Sequence, residues 1–97
     1  MYDVLHLHDF STNTSKTYDH EHRFKGITSK NPNFKGHTHY MSGYTEDKEG
    51  HIHYFSLITG PGFKVKEGHI HFYKALSTID QKHYHFIMGY TSVYSDY

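Results

Sequence analysis

The stretch His37-Thr38-His39-Tyr40-Met41-Ser42-Gly43-Tyr44-Thr45 decides the fold. Its distinctive residues fall on alternate positions: two histidines, a large apolar residue, a small one and a hydroxyl. A period of two marks an extended strand, because successive side chains then point to opposite faces. A helix would scatter the same residues around its circumference. The nine residues therefore read as a β-strand with one specialised face.

Outward from this stretch, the pattern recurs. All twelve histidines fall in six His-x-His pairs: His6/His8, His20/His22, His37/His39, His51/His53, His69/His71 and His83/His85. Four residues after each first histidine stand Phe10, Phe24, Met41, Phe55, Tyr73 and Ile87. Six after it stand Thr12, Gly26, Gly43, Leu57, Ala75 and Gly89, and eight after it Thr14, Thr28, Thr45, Thr59, Ser77 and Thr91. Successive pairs start 14, 17, 14, 18 and 14 residues apart, which groups the half-repeats into units of about 1–32, 33–64 and 65–97. Such self-similarity predicts one domain, 1–97, made of three pseudo-repeats.

Turn-rich pieces at 15–19, 29–36, 46–50, 60–68 and 78–82 separate the strands and are too short for helical crossovers. The expected fold is all-β: a six-stranded antiparallel meander, closed into a narrow barrel with the histidine pairs inside. A flattened parallel β-solenoid with one unit per coil is the alternative. In the meander, Thr45 is expected to face His51, Met41 to face Phe55 and His37 to face Thr59, with Thr14 opposite His20 and Ser77 opposite His83. Thr28 and Thr59 then meet His37 and His69 across the longer loops. The apolar residues form a belt between histidines at the two ends.

Composition narrows the chemistry. Only 35% of the residues are hydrophobic and mean hydropathy is −0.80, yet 18% are aromatic, so an ordered fold with a thin core is expected. Cysteine is absent, which excludes disulfides and thiolate sites and leaves histidine to supply any staple. Ten basic and ten acidic residues cancel without a charge run, so neither nucleic acid nor a membrane is an expected partner. The opening residues carry no signal-peptide pattern and no span reaches transmembrane length. A soluble cytoplasmic protein is the expectation, with a leaderless surface location left open.

Two imidazoles at i and i+2 of a strand form a chelating unit. Three such pairs around an axis supply six nitrogens, enough for an octahedral ion. The meander gathers His6, His8, His37, His39, His69 and His71 at one end and His20, His22, His51, His53, His83 and His85 at the other. This predicts about two transition-metal ions per chain, of Fe, Ni, Co or Zn. Three four-histidine sites use the same ligands and suit tetrahedral zinc. Without metal, twelve clustered imidazoles make a pH-sensing structural protein. A metalloenzyme would need an open position and a carboxylate; Glu46 and Glu49 follow the third pair but fall in a turn. The expected role is structural and non-enzymatic. The outward face of the C-terminal half (Ile52, Ile58, Phe72, Leu76, Phe86 and Met88 among its residues) is apolar where the N-terminal half shows Asp9, Glu21, Arg23 and Lys25. That stripe predicts cover by the terminal tail or by a second copy in a homo-oligomer.

The chain also resembles the YmaF family of small bacterial proteins. The resemblance rests on Gly36-HTHY with Gly43-Tyr-Thr, HRFKGITS at 22–29, HYFSLITGPG at 53–62, GHIHF at 68–72 and HYHF at 83–86. It spans nearly the whole chain and implies no particular activity. The family's acidic residue after the second histidine is kept only as Asp9; Tyr40, Tyr54, Phe72 and Phe86 replace it. Locally, the His-x-His strands are similar to the tip of a phage long tail fibre, which implies octahedral iron inside a six-stranded antiparallel barrel.

Overall fold

The computed structural model of the protein describes residues 5–16, 21–46, 52–78 and 84–95. They form nine strands: β1 (Leu5–His6), β2 (Asp9–Asn13), β3 (Arg23–Ile27), β4 (Asn31–Pro32), β5 (Tyr40–Tyr44), β6 (Tyr54–Ile58), β7 (Gly62–Val65), β8 (Gly68–Leu76) and β9 (Phe86–Tyr90). No helix occurs among the described residues, and all strand pairings are antiparallel. The principal hairpins β2–β3, β5–β6 and β8–β9 correspond to the three pseudo-repeats.

The register differs from the expected one by two residues in every hairpin. Met41 pairs with Leu57 and Gly43 with Phe55; Phe10 pairs with Gly26, and Tyr73 with Gly89. A two-residue slip leaves each inward side chain facing inward, so periodicity alone cannot detect it. Volume decides it. The expected register sets Met41 against Phe55, whereas the observed one lays large residues over small ones. A Cβ on Gly26 would stand 3.0 Å from Phe10 Cζ, and one on Gly89 2.8 Å from the Tyr73 hydroxyl.

The slip also changes which histidine meets the hydroxyl. Thr14, Thr45 and Ser77 donate their backbone N–H to the carbonyls of His22, His53 and His85, not of His20, His51 and His83. Each of those second histidines returns its N–H to the hydroxyl oxygen, at 2.9–3.0 Å. Thr28, Thr59 and Thr91 make the same exchange with His8, His39 and His71. One side-chain oxygen thus replaces a ladder bond where each strand ends.

The belt packs as expected: Phe10, Phe24, Met41, Phe55, Tyr73 and Ile87 are buried and form the apolar core, with Leu57 and Ala75 against it. The molecule measures 50 × 21 × 17 Å, and its core lies between the hairpins.

Among the described residues the ladders stay separate sheets of two or three strands, without one continuous barrel ladder. The hairpins are instead tied at their ends. Ser29 N–H donates to Tyr40 and Glu46 N–H to Arg23, joining the first hairpin to the second. Gly60 to Phe72 and Thr78 to Tyr54 join the second to the third, while Ser92 to Asp9 and Ser15 to Phe86 join the third to the first. Each hairpin is hydrogen-bonded to both others.

The longer loops hold the strands that the meander did not anticipate. β4 pairs with β1, setting Asn31 opposite His6, and β7 pairs with the start of β8, setting Lys64 opposite His69. The surplus residues of the 17- and 18-residue spacings provide these two strands, both at the end that carries His6, His37 and His69.

Candidate metal centre

Six histidines from all three hairpin units meet at that end. His6, His8, His37, His39, His69 and His71 are all buried, each offering a ring nitrogen, and the six nitrogens lie within 4.8 Å of one another. At the other end His22, His53 and His85 form a buried group of three. His20, His51 and His83, expected in the second site, lie outside the described residues.

The first group is octahedral. Its rings contact one another edge to face, with centroids 4.5–5.2 Å apart. Among these described rings the contacts link every pair except His6–His71, His8–His37 and His39–His69. Those three pairs share no member, as the diagonals of an octahedron share no vertex. Nε2–Nε2 separations of 3.0–3.2 Å run along its edges, His6 to His37, His69 and His39 among them. An edge of 3.1 Å puts the centre about 2.2 Å from each nitrogen, slightly beyond the roughly 2.0–2.1 Å of a four-coordinate zinc–imidazole bond.

Protonation follows from the other ring nitrogen. Nδ1 donates to a backbone carbonyl in His8 (Ser92, 2.7 Å), His37 (Phe34, 2.7 Å), His39 (Ser29, 2.9 Å) and His71 (Gly60, 2.8 Å). A carbonyl can only accept, so Nδ1 carries the hydrogen and Nε2 of a neutral ring is a bare lone pair. His37 and His71 thus point two lone pairs at each other across 3.1 Å. Such a pair repels unless a cation lies between the nitrogens. A proton is a poor candidate at neutral pH: burial, reinforced by the neighbouring imidazoles, lowers His71 to about 3 and His8 to about 4, and His39 moves the same way.

Thr28 and Thr59 meet the rings of His39 and His71, not those of His37 and His69 as expected, and these hydroxyl–imidazole contacts are secondary. Thr28, Thr59 and Thr91 lie 3.2–3.4 Å from Nδ1 of His39, His71 and His8, while the carbonyls are nearer. Each carbonyl belongs to the residue after a repeat hydroxyl: Ser29, Gly60 and Ser92 at one end, and Ser15, Glu46 and Thr78 at the other. The latter three accept from His85, His22 and His53. The ring bonds therefore run between the same elements as the hairpin ties, so one imidazole both joins two hairpins and aims a lone pair at the axis.

The second group repeats this arrangement as far as it is described. Ring centroids of His22, His53 and His85 stand 4.6–4.9 Å apart, close to the 4.5–4.7 Å triangle of His8, His39 and His71. A family model named YmaF and described as "Spore germination protein GerY/YamF" matches residues 3–93. The chain belongs to the YmaF family. No curated protein and no solved structure matches it.

Three residues around the six-histidine group of this YmaF chain were not singled out by the repeat. Tyr94 lays its ring against His6, centroids 4.4 Å apart, and exchanges two 3.0 Å backbone bonds with His69. Tyr94 of the tail thus covers a histidine. Gly62 sits where a Cβ would be 3.4 Å from both His37 Cε1 and His69 Cδ2. Gly36, at φ +82°, makes the turn in which His37 N–H reaches the Phe34 carbonyl. Of the three, only Gly36 has a signal in the sequence, adjacency to a histidine pair, which many residues share. Glu46, weighed as a carboxylate ligand, pairs its side chain with Lys25 at 3.6 Å on the surface; Glu49 lies outside the described residues.

Proposed function

We propose that the chain is a non-enzymatic metal-binding structural protein whose buried ions staple a narrow three-hairpin barrel. The observation that carries this reading is the octahedron of six ring nitrogens, in which Nε2 of His8, His37, His39 and His71 is a bare lone pair. Six neutral nitrogens at that spacing favour a six-coordinate divalent ion, Fe, Ni or Co before Zn. In the sequence repeat His20, His51 and His83 are the counterparts of His6, His37 and His69, which supports two ions per chain. An octahedron filled by protein leaves no position for water or substrate, so the ion holds structure and does no chemistry. The end-to-end ties between hairpins support closure, which each ion reinforces from inside.

Metal analysis of untagged protein purified without metal resin tests the reading. Two ions per chain are expected, and a chelator should lower the melting temperature by more than about 10 °C, since a ligand bound only by the native state adds its binding energy to stability. Protein that is metal-free, folded and indifferent to chelator would overturn it. The family's description, a spore germination protein, supports a role for this chain as an ion-stapled component of an assembly in that process. Ile58, Leu76, Phe86, Met88 and Tyr90 are exposed on two of the three hairpins, and a second copy of the chain is the partner they fit. No helix among the described residues is long and apolar enough to cross a membrane.

A further inference from the structure

A cavity of about 560 Å³ opens beside the six-histidine group, and His37 and His69 form part of its wall. The other residues the argument needs are Asn33, Gly62, Lys35 and Lys64. Tyr94 lies over His6, while the cavity opens onto His37 and His69. Gly62 keeps the floor open, because a side chain there would extend from a Cβ already touching both rings.

Size and charge both speak about what enters. A bare or hydrated ion needs far less room, whereas several hundred Å³ is the range of small-molecule sites. Two exposed ammonium groups line the cavity, and no carboxylate among the described residues does. A hydrated dication approaching the rings meets like charge; an anion meets attraction. Resting on the metal-binding reading above, we propose that this cavity is a loading mouth for an anionic metal chelate of the small polycarboxylate class. Lys35 and Lys64 receive its carboxylates and Asn33 adds a polar contact. The ion then exchanges carboxylate oxygens for Nε2 of His37 and His69 at unchanged oxidation state. The chelator leaves as the free anion; His37 Nε2 takes the ion without releasing a proton, because its hydrogen lies on Nδ1, and any proton on His69 Nε2 passes to a freed carboxylate.

The same route run backwards gives a test on loaded protein. Nickel-loaded chain is challenged with excess citrate, which is anionic, or with neutral 1,10-phenanthroline, and nickel release is followed by absorbance. For the K35E/K64E variant, citrate-driven release should slow roughly tenfold at low salt, in one of the two kinetic phases, with phenanthroline-driven release unchanged. Added salt should slow citrate release from the parent and quicken it from the variant. Equal slowing with both chelators, or none with citrate, overturns the mouth and leaves the metal site standing. A chain that binds no nickel overturns both readings.

Discussion

The inward and outward faces of the three hairpins obey different rules. Inward, the six half-repeats are near copies: histidines, a large residue, a small partner and a hydroxyl, with the described histidines, the large residues and every hydroxyl but that of Ser77 buried. Outward, the hairpins diverge. The first shows Asp9, Ser11, Asn13, Arg23 and Lys25 to solvent, and the third shows Phe72, Leu76, Phe86, Met88 and Tyr90. Threefold convergence on an axis explains the sameness inside, since equivalent positions must fill equivalent space. Outside, no such constraint acts, and differences there are free to encode contacts with other molecules.

The largest expected break in this comparison is removal of ligands from the inner face. H37A with H39A should empty the six-histidine end, leave the other end loaded, halve the metal content and lower the melting temperature by on the order of 10 °C or more. Loss of both ions together would show that the two ends are not independent.

Acid should act on the same face. The lowered pKa values of His8, His39 and His71 mean that the unfolded chain binds protons that the folded chain refuses. Stability of the metal-free protein is therefore full above the unfolded value of 6.5 and is lost as pH falls toward about 4 for His8 and about 3 for His71. Denaturant midpoints between pH 7.5 and 4.5 should fall steadily; a flat profile would contradict the burial of neutral rings.

A smaller effect should follow from filling the space opposite a belt residue. G89V sets a branched side chain into the Tyr73 hydroxyl and should cost about 1–3 kcal/mol by overpacking, read from chemical denaturation. The outward face should give least. M88K with L76K should change stability by less than about 0.5 kcal/mol, yet weaken any self-association seen by sedimentation. A large stability loss from these two would mean that the outer stripe is covered within the chain.

Much of this was legible in the residues. The belt, the even spacing, the antiparallel hairpins and the gathering of His6, His8, His37, His39, His69 and His71 follow from a period of two repeated six times. The size alternation that fixes the register, with Gly26 for Phe10 and Gly89 for Tyr73, was also present, but it is read only when facing strands are compared for volume. Other features had no local signature: β4 and β7 inside the loops, Tyr94 against His6, and the carbonyls that set each tautomer. They arise from segments distant along the chain.

By itself the sequence determined which side chains face the axis, because alternation in an extended chain is a property of the backbone. Tertiary structure alone decided how those side chains meet. Register, ring orientation and the protonated nitrogen depend on which carbonyl and which volume lie across the gap, and these belong to another hairpin.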